Sequence, residues 1–214
     1  RLVATYKGAM AWDLQGGMGE AFTAPLYQRL LEQGVRFEFF SKVTAIRPEP
    51  GRDAIASVEI EQQATMLPGY RLLRRFDDID CWLAEPDWDN LADGPRLKAA
   101  GVNFESHWCA EPPVGRRTLH RGEDFDDVVL AMPVGTWKKL NDETGPCDDL
   151  LARGGRFAAF TEALGIVPTV ALQFWTLANA KALGWTGPRP AVVAGPEPIC
   201  VWADLSQVLR TETP

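Results

Sequence analysis

The stretch Gly16–Ile46, GGMGEAFTAPLYQRLLEQGVRFEFFSKVTAI, decides how the rest of the chain is read. Gly16-Gly17-Met18-Gly19 opens it as a loop, because glycine adopts backbone angles closed to other residues. A helix follows from Glu20 to Gln33. Phe22, Leu26, Leu30 and Leu31 recur at helical spacing, Glu20 sits at the favourable amino end, Pro25 falls in an early turn and Gly34 is placed as a stop. Val35, Phe37 and Phe39 then alternate with Arg36 and Glu38 as in a strand, and Val43–Ile46 forms a second short apolar run. Helix, glycine and strand in this order make one α/β unit.

Working outward, Pro48-Glu49-Pro50-Gly51 supplies a turn, and Ile55, Val58 and Ile60 alternate through Ala54–Glu61, so an antiparallel hairpin is expected. Regularity weakens from Gln62 to Gly122, where Trp82, Trp88 and Trp108 stand among Pro, Asp and Gly; this reads as an irregular lobe. Asp126–Pro133 is a continuous apolar run stopped by proline, the pattern of a strand buried on both faces, with a helix-like segment behind it through Leu140. Thr169–Thr176 reads as a strand, although periodicity alone does not separate it from a buried helix. Ile199–Trp202 is another strand candidate, and Asp204 is placed to cap a closing helix from Leu205 to Leu209. Leu2–Trp12 is short and mixed.

At 214 residues, 46% hydrophobic and 24% charged, the chain is long enough for one large domain or two small ones. A net charge of −7 leaves no basic face for phosphate backbones, which argues against a nucleic-acid partner. Ala163–Ala180 carries no charge but includes Pro168, Gln173 and Asn179, so it reads as buried sheet and helix rather than a membrane span. Cys81, Cys109, Cys147 and Cys200 are far apart and form no C-x-x-C pair; reduced, mostly buried thiols in a cytoplasmic protein are the expectation. The chain begins at Arg1 and is read as an interior segment.

Few residues carry an obvious chemistry. The glycine loop before a helix permits backbone amides to face a ligand, but Phe22 occupies the last position of a G-x-G-x-x-G pattern, and a tight turn entering a helix is an equal reading. His107, Cys109, Cys81 and His120 are zinc-ligand types without zinc-ligand spacing, so packing or surface roles are favoured and no metal is assigned. Asp77, Asp78 and Asp80, like Asp87 and Asp89, lack the glycine and terminal glutamate of a calcium loop and read as solvated acids. No G-x-S-x-G elbow is present.

Three separated segments, in order, resemble the flavin-containing amine oxidoreductase superfamily, which includes monoamine oxidase-like, protoporphyrinogen oxidase-like and phytoene desaturase-like enzymes. They are Gly16-Gly17-Met18-Gly19-Glu20 with its Pro25-Leu26-Tyr27 helix, Gly34–Phe37 followed by Val43-Thr44-Ala45-Ile46, and Phe125-Asp126-Asp127-Val128-Val129-Leu130-Ala131-Met132-Pro133. The resemblance covers about half of the chain. It implies an α/β (mixed α+β) fold: part of an FAD-binding Rossmann-like domain, plus an irregular substrate-domain region with a mixed sheet. The blocks it implies are 1–61 in the FAD-binding domain, 62–122 an insertion or substrate lobe, and 123–214 the return strand followed by substrate-domain elements.

By the same resemblance, Val43 meets the adenine of FAD through its backbone, Ala131 and Met132 lie near that wall, and Gly16, Gly17 and Met18 approach the cavity beside the flavin ring. The implied activity is removal of a hydride from a C–N or C–C bond of a small organic substrate; no catalytic acid or base is assigned. Two departures stand out. The family's N-terminal glycine-bearing β-α-β unit and its C-terminal closing segment are missing, so this piece alone is expected to hold FAD poorly. Many relatives open a strand K-V-x-L-x-F with lysine, and Thr169 stands there in Thr169-Val170-Ala171-Leu172-Gln173-Phe174. The rival expectation is a non-catalytic binding or scaffolding module with the same fold; a metal-dependent hydrolase using His107 and Cys109 is third. Strand edges without neighbours make homo-oligomer formation a further expectation.

Overall fold

The computed structural model describes residues 16–106, 108–137, 145–165, 169–186 and 192–206. The chain is of the α+β class, with short helices and antiparallel sheets. It divides into two compact units, one built from Arg1–Phe37, Arg71–Pro86 and Ala171–Pro214, the other from Glu38–Tyr70 and Asp87–Val170. These units cut across the three blocks expected from sequence.

Among the described residues of the first unit, a π-helical turn, Gly19–Thr23, runs into helix α1, Ala24–Glu32. Pro25 explains the join: it has no N–H to return to Ala21, and the wider turn closes instead through Ala24 N–H to Gly19 O. Gly34, at φ +84°, ends the helix with paired bonds, Gly34 N–H to Leu31 O (2.9 Å) and Val35 N–H to Leu30 O (3.0 Å). Val35 is thereby committed to closing the helix, and the strand expected over Val35–Phe39 is absent; these residues have no regular structure. The buried stripe also differs from the expected one. Ala24 is fully buried and Tyr27 and Gln28 are half-buried, whereas Phe22, Leu26 and Leu31 are exposed.

Two hairpins complete the described part of this unit. Strands β3 (Leu73–Phe76) and β4 (Ile79–Trp82) pair across Asp77-Asp78, with Asp77 in the left-handed region that aspartate tolerates. Strands β6 (Val192–Ala194) and β7 (Val201–Ala203) form the second pair, close to the strand expected at Ile199–Trp202. The strand expected at Thr169–Thr176 is absent: Thr169 and Val170, assigned to the second unit, and Ala171–Thr176, in this one, are exposed and join no ladder. Phe174 instead stacks on Trp202. Within the stretch expected to be buried sheet and helix, Thr169–Leu177 is therefore neither: it is exposed and forms no strand or helix. Asp204 accepts the Ser206 N–H at 2.9 Å, and most of the expected closing helix lies outside the described residues, as does Leu2–Trp12.

The second unit is organised by a three-stranded antiparallel sheet in the order β1 (Ser41–Pro48), β2 (Ile55–Gln62), β5 (Gly115–His120). The hairpin read from sequence is present. The third strand lies inside the stretch read as irregular, because Gly115–Thr118 and His120 are exposed and Leu119 alone of its residues is partly buried, so no apolar alternation marks it. Arg116 pairs there with Glu61, and Arg47 with Glu59. On the inner face Val43 opposes Ile60 and Ile46 opposes Val58. Trp137 and Cys147 complete the buried cluster, with Phe157 stacked on Trp137 at 5.0 Å. Short helices α3 (Asp148–Ala152) and α4 (Gly155–Ala163) supply Leu150 and Phe157 to it.

Asp126–Pro133 does not form the doubly buried strand expected. It is extended but joins no sheet among the described residues: Val128, Leu130 and Met132 pack on the core, while Val129 is 88% exposed. A 3-10 turn, Val134–Thr136, follows, and the rest of the segment to Leu140 lies outside the described residues apart from Trp137. The remaining part of this unit is a smaller packed region. Helix α2 (Gly94–Ala99) lies against the Trp88–Asn90 turn, and Leu91 and Leu97 are buried beneath it. All four cysteines are free, but only Cys147 is buried.

Candidate functional site

Val43 lies beside a register shift. Residues 43 and 45 oppose Ile60 and Glu59, so Thr44 is the extra residue of a β-bulge. Side chains alternate along a strand, and Val43 and Ile46, three residues apart, would point to opposite faces of a regular one. With the bulge, both reach the inner face. The V-x-x-I spacing is thus a bulged strand in which the first and fourth residues share one side.

The direction of the Val43 peptide groups follows from the ladder. Gln63 donates its N–H to Phe40 O (2.7 Å), and inward- and outward-facing residues alternate in an antiparallel pair. Lys42 therefore faces β2, and the Val43 N–H and C=O face the outer edge of β1. Ile46 faces the same edge, where its N–H donates to Pro146 O at 2.7 Å. Val43 has no such partner among the described residues. An apolar side chain anchored in the core thus sits on a peptide whose N–H and C=O face the strand edge and have no partner among the described residues.

Met132 packs on the same core cluster as Val43, although the two are far apart in sequence, and its carbonyl accepts the Trp137 indole N–H at 3.1 Å. Ala131 is exposed, on the opposite side of the extended segment. Nearby, Arg47 bridges Glu59 (2.9 Å) and Asp149 (2.5 Å), and these bonds raise its pKa further. The Cys147 thiol is pushed up to about 11, chiefly by burial and then by the charge of Asp148. It is therefore a neutral core group rather than a nucleophile.

Gly16, Gly17 and Met18 belong to the first unit. Gly16 is buried and Met18 exposed. Gly17 and Gly19 have ordinary backbone angles, so conformational freedom is not their reason for being glycine. Close approach is the reason at Gly19, where a Cβ would lie 3.2 Å from the Trp82 ring; at Gly17 a Cβ would meet only the movable end of the Glu20 side chain, at 2.6 Å. Trp82 donates its indole N–H to Thr23 (3.0 Å) and packs against Tyr27, which also meets Phe37 in a T-shaped contact. Gln28 donates to Asp80 (2.7 Å), which holds that carboxyl below its usual range, with a smaller contribution from Arg75. Burial, then Glu20 and Asp80, raises the Cys81 thiol.

This Tyr27–Trp82 cluster escaped the sequence reading, since nothing in the spacing of residues 27 and 82 signals contact. His107 lies outside the described residues; among those described, no group of three or more metal-ligand side chains converges. No helix among them is long and apolar enough to cross a membrane. Compared with known proteins, the chain matches no family model, no curated protein and no solved structure.

Proposed function

We propose that this chain belongs to an FAD-dependent amine oxidoreductase-like enzyme, one that removes a hydride from a C–N or C–C bond of a small organic substrate. The observation that carries the reading is the Val43 edge: a bulge turns its side chain into the core while its peptide N–H and C=O stay unmet among the described residues. That residue is the one the resemblance assigns to adenine, and the unmet pair fits a ring with adjacent donor and acceptor. Bound flavin supplies the hydride acceptor. In this reading Val43 orients the adenine end and Met132 holds the neighbouring wall through the core they share. The four free thiols support a reducing, cytoplasmic setting.

The visible absorbance spectrum of the full-length protein tests this directly. Flavin bands at near-stoichiometric intensity are the expected result; a colourless protein that also fails to take up added FAD overturns it. That second outcome selects the other reading, a binding module that keeps the fold without the chemistry. The shifts at Arg47 and Cys147 favour it, because they arise from ion pairs and core burial and not from a reactive cluster.

A further inference from the structure

We draw no further inference here: the strongest candidate, the apolar surface patch of the first unit where Leu172, Phe174 and Trp175 are exposed and Phe174 stacks on Trp202, carries nothing because nothing in the structure shows what covers it.

Discussion

Deleting Thr44 tests whether it is the inserted residue of the β1 bulge. The ladder pairs Val43 with Ile60 and Ala45 with Glu59, so without Thr44 these become successive rungs of a regular antiparallel ladder, and Val43 and Ile46, now two residues apart, both still face inward. The Ile46 bond to Pro146 and the Arg47 bonds to Glu59 and Asp149 can all be kept. What is lost is the long hydroxyl bond from Thr44 to Glu59 O (3.4 Å), so the deletion should destabilise by less than about 1 kcal/mol, close to the value for Thr44→Ala. Urea unfolding followed by far-ultraviolet circular dichroism gives both values. If Thr44 were instead an ordinary rung, its deletion would turn the half-buried Val43 outward, at about 1 kcal/mol, and bring the Lys42 stem against the core, at about 1–2 kcal/mol more. A loss of about 2–3 kcal/mol for the deletion beside a small one for Thr44→Ala would therefore refute the bulge assignment.

Hydrogen exchange offers a second test: the Val43 amide should exchange much faster than that of Lys42 in flavin-free full-length protein and slow down when FAD is added, and protection unchanged by FAD would remove Val43 from the cofactor site. Alkylation of native Cys147 should be negligible at pH 8 and rise only as pH approaches about 11, since its thiol is raised by burial. A raised folded pKa also means that its stabilising contribution is complete below the ordinary thiol pKa of about 9 and is lost as pH climbs from there toward 11, so Cys147→Ala should flatten that alkaline loss in a urea titration. Gly94→Ala places a Cβ 1.7 Å from Trp88 O, so the Trp88–Asn90 turn and α2 must separate, at a cost of about 3 kcal/mol or more. Gly51→Ala meets open space and only the strain of φ +72°, about 1 kcal/mol, and a smaller drop in Tm for Gly94→Ala than for Gly51→Ala would refute the steric account.

Much of the local structure was legible because local chemistry decides it. Gly34 stops α1 and Pro25 enters it early, each through its own backbone restriction. The β1–β2 hairpin follows from a short apolar run and an apolar alternation joined by a proline-glycine turn. Val35–Phe39 and Thr169–Thr176 failed for the opposite reason: alternation describes a chain able to be a strand, and a strand needs a neighbour. The Val35 N–H went to the helix, and Ala171–Thr176 met no ladder among the described residues.

The candidate site shows the same division. The residue types and order of Gly16–Met18, Val43-Thr44-Ala45-Ile46 and Ala131-Met132 are properties of the sequence, and with them the resemblance to flavin-dependent enzymes. That Thr44 is the inserted residue, that Val43 therefore turns its side chain inward and its peptide outward, and that Met132 shares its core are set by pairing with β2 and packing on Trp137. Strand register is a relation between two segments, and one segment's pattern allows either face until its partner and the core beneath it select one.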